Sequence, residues 1–169
     1  DKYDKKFKDA YFNRYPNIWH HGDYAEAKKS GGFIIHGRSD TTLNPGGVRL
    51  GTAEIYSEVE RFKEIKESIV VGQSWDNDVR IVLFIVMNAK FYLGEDLLKK
   101  IKIQIRKNAS PRHVPGKVIV VKDIPRTKSG KIVELAVKNT IEGNNVKNKE
   151  ALANPEALEQ FKNLKELSN

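Results

Sequence analysis

The stretch SIVVGQSWDNDVRIVLFIVM, residues 68–87, decides the fold. It contains two apolar runs, Ser68–Gln73 and Arg80–Met87, which are separated by polar residues 74–78. Short runs rich in valine and isoleucine are typical of strands, and a short polar segment between two of them predicts a β-hairpin. We therefore expect an antiparallel pair of strands in this region.

Further elements follow on both sides of this hairpin. The run KVIVVK at residues 117–122 predicts a third strand. Apolar residues with a helical period predict helices at residues 52–63, 94–108 and 155–167. Three strands and several helices in mixed order predict a small α+β domain, a three-stranded sheet with flanking helices.

The segment before the hairpin has weaker patterns. Gly31-Gly32 is expected to start a hairpin, followed by Phe33–His36 as a short buried strand, and Val48–Leu50 is expected to form a second short strand. The pair Gly46-Gly47 permits positive φ and a close approach of backbone to a ligand. Gly37–Asp40 interrupts the apolar pattern with charge and is interpreted as a linker or hinge.

Composition limits the classes of function. The chain has 169 residues, a net charge of +8 at pH 7 and no cysteine. Disulfides, thiolate metal sites and a cysteine nucleophile are therefore excluded, and a cytoplasmic location fits. No run approaches the roughly 18 apolar residues of a membrane span. The first residues, from Asp1, are typical of the middle of a larger protein, so we expect a fragment.

The positive charge has two interpretations. Lysine-rich solvated faces account for it, as does attraction to a polyanion such as nucleic acid or a nucleotide or coenzyme with several phosphates. No aromatic–basic repeat and no DNA-binding motif favours nucleic acid. No metal site is expected at His20-His21, because adjacent side chains diverge and no third ligand is spaced nearby.

A second informative stretch is IPRTKSGKIVELAVKN, residues 124–139. Pro125 fixes φ, Ser129-Gly130 favours a turn, and the residues after Lys131 have a helical period. Lys131 is thus expected where a loop becomes a helix, beside free amides and the positive end of the helix dipole, which favours a phosphate or carboxylate. A solvated turn is the alternative interpretation. The stretch is not a P-loop, because Pro125 and Ile132 occupy positions that need glycine and Ser or Thr.

Three motifs in order resemble those of acyl-CoA synthetases of the adenylate-forming superfamily. They are His21-Gly22-Asp23, the run from Gly37-Arg38-Ser39-Asp40 through Glu54, and Pro125–Lys131. The resemblance implies a small C-terminal lid domain preceded by a remnant of the large N-terminal domain. Runs at residues 43–56, 110–115, 131–139 and 151–158 resemble the acetoacetyl-CoA synthetase subfamily, with acetyl-CoA or other short-chain acyl-CoA synthetases as the near alternative.

The resemblance also implies roles for single residues. The catalytic lysine of adenylation corresponds to Lys131 and the hinge pivot to Asp40. Nucleotide binding is implied for Asp23, Arg38 and Arg49, and CoA binding for Gly47 and Arg106. Simpler interpretations remain: turn residues for Asp23, Asp40 and Gly47, and an exposed strand arginine for Arg49. His21 departs from the family pattern, which usually has Thr or Ser there.

The implied reaction joins a short-chain acid such as acetoacetate to CoA through an acyl-adenylate, with ATP and Mg²⁺ used by the full-length enzyme. The implied division of the chain is 1–38 as a strip of the N-terminal domain, 39–145 as a mobile lid and 146–169 as a tail helix. The fragment alone is expected to be inactive. The implied partners are its own N-terminal domain and a protein acetyltransferase or deacetylase that acts on Lys131. A basic polyanion-binding module and a structural scaffold domain are the alternatives from other classes.

Overall fold

The computed structural model describes residues 2–169 of the chain. Within them, the helices are α1 (Lys2–Tyr11), α2 (Ala53–Val59), α3 (Glu95–Asn108) and α4 (Glu134–Ile141). The strands are β1 (Asp23–Ala27), β2 (Phe33–Arg38), β3 (Ile65–Trp75), β4 (Asp78–Met87) and β5 (Lys117–Val120). Short 3₁₀ segments lie at Pro45–Gly47, Pro111–His113, Lys149–Ala151, Pro155–Phe161 and Lys165–Leu167.

The predicted hairpin and third strand are confirmed as one sheet in the order β3-β4-β5. The hairpin strands are longer than predicted, and only Asp76 and Asn77, both at positive φ, remain in the turn. β4 pairs with β5 in parallel, from Val82 opposite Lys117 to Ile85 opposite Val120. A parallel pair needs a crossover connection, and α3 supplies it. The predicted α+β class is therefore confirmed.

The sheet buries both of its faces. One face packs against α2 and α3 through a cluster that includes Val70, Leu83, Ile85, Ile101 and Ile105. The opposite face packs against α4 and the C-terminal residues through a second cluster, which includes Ile69, Val71, Phe84, Leu158 and Phe161. Alternate residues of each strand point to opposite faces, so an uninterrupted apolar run is what a sheet covered on both sides requires.

The predicted final helix, Pro155–Leu167, is wrong as a continuous helix. It consists of two 3₁₀ segments, because Asn163 adopts a left-handed conformation with φ of 52° between them. The expected common apolar side is nevertheless present, since Leu158 and Phe161 are buried against the sheet and Leu164 packs beside them. The rings of Phe84 and Phe161 meet edge to face at 4.9 Å.

The strands β1 and β2 form a separate antiparallel pair, which we name the ribbon. β1 had no counterpart in the sequence prediction. The expected burial of Phe33–His36 is wrong, since Phe33, Ile34 and Ile35 are 73%, 42% and 56% exposed. Each strand of the ribbon pairs only with the other in the described part of the chain, and these three apolar side chains remain largely exposed there.

The expected strand at Val48–Leu50 is also wrong. The segment forms a single antiparallel bridge between Leu43 and Leu50. The 3₁₀ turn at Pro45–Gly47, with Gly46 in the left-handed region at φ of 57°, bends the chain too tightly for a longer pairing.

The ribbon is joined to the sheet domain by a very close contact at Gly51. A Cβ atom at Gly51 would lie 2.3 Å from the carbonyl oxygen of His36, so this contact requires glycine. Beside it, Glu54 of α2 lies between two histidines, 3.4 Å from His36 Nδ1 and 2.6 Å from His113 Nε2. This row of polar side chains links β2, α2 and the turn at Pro111–His113. In the part of the chain that the structure describes, no helix has the length and apolar character that crossing a membrane requires.

Candidate functional site

Asp23, Arg38 and Asp40 lie together where the ribbon ends. Asp23 opens β1 and is the register partner of Arg38, the last residue of β2. The Arg38 guanidinium donates to both carboxylate oxygens of Asp40, at 3.2 and 3.1 Å, and its Nη1 lies 4.0 Å from Asp23 Oδ1. The structure therefore brings three of the site residues predicted from the sequence into one group.

Glycine at position 22 makes this arrangement possible. Gly22 has φ of 90°, and a Cβ atom there would lie 2.7 Å from Arg38 Nη2. The guanidinium covers the Gly22 backbone and donates through Nη1 to the His21 carbonyl oxygen at 3.0 Å. The hydrogen bond with Asp40 raises the pKa of Arg38 above its usual value, so the cation persists at all working pH values.

The Asp23 carboxylate retains acceptor capacity. Its Oδ2 lies 2.5 Å from His21 Nδ1, whereas Oδ1 has only the long contact with Arg38. An ionised carboxylate offers about four lone pairs, which suits a pair of neighbouring hydroxyl groups such as a ribose diol. His21, the residue that departs from the family pattern, thus contacts Asp23 directly.

Asp40 begins a turn that leads out of the ribbon. The Arg38 carbonyl oxygen accepts from the Thr42 hydroxyl at 2.9 Å and from the Thr41 amide at 3.3 Å. Beyond this turn the chain enters the sheet domain through buried Leu43. Asp40 therefore lies at the junction between the two parts of the chain, bound to Arg38 on the ribbon side.

Lys131 does not lie at a helix N-terminus, and that part of the prediction is wrong. α4 begins at Glu134, and Lys131 ends a tight turn, residues 127–131, which we name the lysine turn. Thr127 closes it, because its amide donates to the Lys131 carbonyl at 2.8 Å and its hydroxyl accepts from the Lys131 amide at 3.0 Å. Arg126 and Ile132, which flank the turn, form an antiparallel bridge. Because this bridge keeps Ile132 extended, α4 begins only after it, at Glu134. The Lys131 side chain is exposed.

An ion pair and several hydrogen bonds behind the lysine turn had no counterpart in the sequence prediction. Arg126 lies 2.7 Å from Glu67 of β3 and donates to the Gly130 carbonyl oxygen at 3.2 Å. The Tyr56 hydroxyl donates to Glu134 at 2.5 Å and accepts from the Val70 amide at 3.0 Å. These residues tie the turn and the start of α4 to β3. Most of these contacts join residues distant in sequence, so a single sequence holds no pattern that reveals them.

Burial raises the pKa of Tyr56 well above its usual value, and the neighbouring Glu134 carboxylate adds to the effect. The hydroxyl therefore remains protonated and able to donate. A small cavity of about 210 Å³ borders Tyr56, Glu67, Arg126 and Ile132.

Gly47 lies in a different region, at the end of the β3–β4 hairpin. It has φ of 76°, and no atom lies within 4 Å of the position that a Cβ atom would take, so its Cα faces open space. The preceding Gly46 amide donates to both oxygens of Asp78, at 2.8 and 3.0 Å. Hydrogen bonds from the Val79 and Gly46 amides lower the pKa of Asp78. Gly47 borders a shallow cavity of about 660 Å³ with Asn44, Trp75 and Asp78.

Arg49 and Arg106 are both exposed, and neither side chain forms a hydrogen bond or ion pair with any residue that the structure describes. We name Asp23, Arg38 and Asp40 the Asp23 group. Across residues 2–169, no side-chain hydrogen bond or ion pair joins this group to Lys131 or Gly47. The predicted site residues therefore fall into separate places: the Asp23 group at the end of the ribbon, the lysine turn, the Gly47 loop and α3.

The residues present fit some of the implied groups and not others. The Asp23 group has the acceptors and the cation that a nucleoside needs, and Lys131 is an unobstructed cation. In contrast, the described residues contain no group of three His, Asp or Glu side chains that could hold a metal ion.

Comparison with known proteins gives consistent results. Residues 54–131 match the family described as the AMP-binding enzyme C-terminal domain. The chain is 59% identical over 164 residues to the acetoacetyl-coenzyme A synthetase of Rhizobium meliloti (strain 1021), covering 97% of the chain and 25% of the relative. It is 47% identical over 171 residues to the acetoacetyl-CoA synthetase of Xenopus tropicalis, covering 100% of the chain and 25% of the relative.

A solved structure agrees with these relatives. The acetoacetyl-CoA synthetase from Streptomyces lividans superposes with a TM-score of 0.84 at 40% identity, covering 93% of this chain and 24% of that one. The chain thus spans about a quarter of the length of the relatives it matches.

Proposed function

We propose that the chain is the C-terminal part of an acetoacetyl-CoA synthetase, because residues 54–131 match the family described as the AMP-binding enzyme C-terminal domain and nearly the whole chain resembles such synthetases. The proposed reaction of the whole enzyme converts acetoacetate, ATP and CoA into acetoacetyl-CoA, AMP and pyrophosphate. The observation that carries the proposal is the similarity of almost the entire chain to acetoacetyl-CoA synthetases at 59% and 47% identity. The acyl pocket is proposed to lie outside these 169 residues.

In the first half-reaction the acid carboxylate attacks the α-phosphorus of ATP, and pyrophosphate leaves. Negative charge accumulates around one phosphorus as two anions meet. We assign Lys131 the task of stabilising that charge and holding the two reactants together. The proposal is supported by the exposed side chain of Lys131 and by the closed backbone of the lysine turn, which fixes where the side chain starts.

The nucleotide is assigned to the group at the end of the ribbon. The Asp23 carboxylate would accept from the ribose hydroxyls, and Arg38 would orient Asp23 and neutralise part of the local charge. Arg49, an exposed cation without a partner among the described residues, is assigned to the phosphates. Mg²⁺ would supply further neutralisation of the phosphates, and its protein ligands are assigned to the rest of the enzyme.

In the second half-reaction the CoA thiol attacks the acyl carbon, and AMP leaves. Gly47 is assigned to the wall of the pantetheine path, because its Cα faces open space and a side chain there would narrow that space. Arg106 is assigned to a phosphate of CoA. The two half-reactions use different surfaces of the lid, so we propose that the lid rotates between them about Asp40.

The separate locations of the site residues support such a rotation. The Asp23 group lies on the ribbon side of Asp40, whereas Lys131 and Gly47 lie on different parts of the sheet domain beyond it. The exposed apolar residues of β2 support the assignment of residues 1–38 to a larger N-terminal domain, which would cover them.

The experiment that tests the proposal measures AMP release by the full-length enzyme with ATP, Mg²⁺ and CoA, and with acetoacetate or acetate as the acid. Acetoacetate is expected to be strongly preferred. A preference for acetate would overturn the subfamily and keep the superfamily. Release of AMP with neither acid, together with salt-sensitive binding of nucleic acid, would favour a polyanion-binding module.

A second measurement tests Lys131 itself. Lys131→Ala is expected to lower acyl-adenylate formation by at least about a hundredfold and to leave thioester formation from supplied acyl-adenylate unchanged. Lys128→Ala, in the same turn, is the matched control. Acetylation of Lys131 by a protein acetyltransferase removes the same charge and is expected to reproduce the selective loss. Equal loss in both half-reactions would contradict the assignment.

A further inference from the structure

A segment outside the family match lies directly against the lysine turn. Residues 149–154, which we name the bracing segment, follow α4 and pair with the chain that leads into the turn. Thr127 and Leu152 form an antiparallel bridge. The Lys128 amide donates to the Ala151 carbonyl at 3.0 Å, and the Ala153 amide donates to the Arg126 carbonyl at 2.8 Å. The bracing segment is thus joined to the chain at residues 126–128 by one antiparallel bridge and two backbone hydrogen bonds.

Asn154, the last residue of the bracing segment, holds the base of this hairpin. Its Oδ1 accepts from the Arg126 amide at 2.8 Å, and its Nδ2 donates to Asp123 Oδ2 at 2.6 Å and to the Ile124 carbonyl at 3.0 Å. These partners lie on both sides of Pro125, which has no amide hydrogen of its own to contribute. All three hydrogen bonds of the Asn154 side chain therefore fix the segment that leads into the lysine turn.

The bracing segment is itself held by the hydrophobic core. Leu152 is buried in the same cluster as Ile124 and Phe161. Interiors are close-packed, so a buried leucine fixes the backbone from which it projects. Rigid contacts then run from Leu152 through Thr127 to Lys131, because Thr127 bonds to both the amide and the carbonyl of Lys131.

We propose that Asn154 and the bracing segment are positioning elements for Lys131, acting through Arg126 and Thr127. The proposal rests on the proposed function of Lys131 in adenylation. The proposed role of the bracing segment is indirect. It restricts the origin of the Lys131 side chain so that the ammonium group meets the α-phosphate in one geometry, and adenylation depends on that geometry.

The first arm of the test is independent of activity. Hydrogen exchange is measured in the 169-residue chain for Asn154→Ala and for the matched control Glu159→Ala, an exposed tail residue whose side chain pairs with Lys162. Asn154→Ala is expected to accelerate exchange of the Arg126 and Lys128 amides about tenfold and to leave the β3 and β4 amides unchanged. Unchanged exchange at residues 126–131 would overturn the proposal whatever the enzyme does.

The second arm uses the full-length enzyme. Asn154→Ala is expected to lower the kcat of acyl-adenylate formation on the order of tenfold, with the KM for the acid and thioester formation from supplied acyl-adenylate both unchanged. The double variant Asp123→Asn with Asn154→Asp exchanges the two side chains, so that one still donates to the other and an oxygen at position 154 still faces the Arg126 amide, whereas the Ile124 carbonyl loses its donor. It is expected to recover part of the lost rate.

The outcomes separate the proposal from the function on which it rests. Loss of both half-reactions with Asn154→Ala, or no recovery in the double variant, would mean that Asn154 serves overall stability and would overturn the proposal. If Lys131→Ala spares adenylation, the function assigned to Lys131 fails, and the exchange experiment still decides whether the bracing segment holds the turn.

Discussion

The β3–β4 hairpin and the β1–β2 ribbon are two antiparallel pairs of strands with similar apolar runs and opposite environments. In RIVLFIVM of β4, Leu83, Phe84 and Ile85 are fully buried, because helices cover one face and α4 with the C-terminal residues covers the other. In FIIHGR of β2 the apolar residues are largely exposed. An apolar run therefore predicts that a strand needs other residues packed over it, but not whether those residues belong to the same 169-residue chain.

The largest expected effect is a difference in the free energy of unfolding between matched Phe→Ala substitutions in β4 and β2. Phe84→Ala should lower the free energy of unfolding of the chain by about 3–5 kcal/mol, because it leaves a cavity beside Phe161. Phe33→Ala, the matched change in the ribbon, should alter it by less than about 0.5 kcal/mol, since the ring is mostly exposed. Urea denaturation measures both. Similar losses would mean that the ribbon is covered in solution.

The next largest effect is expected at the contact between Gly51 and His36, which joins the ribbon to the sheet domain. Gly51→Ala places a Cβ atom against the His36 carbonyl and should cost about 1–3 kcal/mol as the ribbon is forced away from α2. Gly32→Ala in the ribbon turn, where no atom lies within 4 Å of the Cβ position, is the control. Thermal unfolding with hydrogen exchange at β2 reports both. A neutral Gly51→Ala would show that the ribbon is not held against the sheet domain.

The hydrogen bonds of Tyr56 to Glu134 and Val70 should make the stability of the sheet domain depend on pH. Tyr56→Phe should cost about 1–2 kcal/mol, because Glu134 and the Val70 amide lose their partner. The raised pKa of Tyr56 means that its stabilisation is fully present below pH about 10 and is lost as pH rises through the raised value. Tyr56→Phe should therefore flatten the alkaline part of the stability curve. Tyr92→Phe, at an exposed tyrosine, should not.

The smallest effect concerns the two hairpin turns. The β3–β4 turn is bound to the Gly46-Gly47 loop by Asp78, whereas the ribbon turn is closed by backbone bonds from Lys28 to Gly32 and from Gly31 to Lys28. The pKa of Asp78 is lowered, so its bonds to Gly46 should persist until pH falls below the ordinary aspartate range. The Gly46 amide resonance should titrate there. Asp78→Asn should abolish that titration, and Asp76→Asn should leave it intact.

The elements that local patterns determine were predictable. Uninterrupted apolar runs indicated β3, β4 and β5. The helical period predicted α3 at residues 94–108, and the observed helix begins one residue later and ends at the same residue. Motif resemblance assigned Asp23 and Arg38 to one nucleotide-binding set, and the structure places them side by side. The same set included Arg49, which lies elsewhere, whereas Asp40, assigned separately to the hinge, lies against Arg38. The roles of the seven site residues and the division of the chain near residue 38 remain predictions.

Other features depend on partners distant in sequence and could not be read locally. The parallel pairing of β5 is set by the α3 crossover, and the exposure of Ile34 and Ile35 by the lack of a covering layer among the described residues. The lysine turn precedes α4 by three residues because Ile132 bridges to Arg126. Asn163 in a left-handed conformation interrupts the final helix, and asparagine adopts that conformation without a strong sequence signature.

The position of the C-terminal residues within the core has a consequence for synthesis. The Gln73 side chain donates to the Leu167 carbonyl, a partner 94 residues later in the chain. As a polypeptide grows from its N-terminus, β3 and β4 emerge long before Leu152, Leu158 and Phe161 exist to cover one face of their sheet. Contacts so distant in sequence form slowly, and an uncovered apolar sheet is a substrate for chaperones and for aggregation. Residues 152–167 therefore control when the sheet of the growing chain becomes covered.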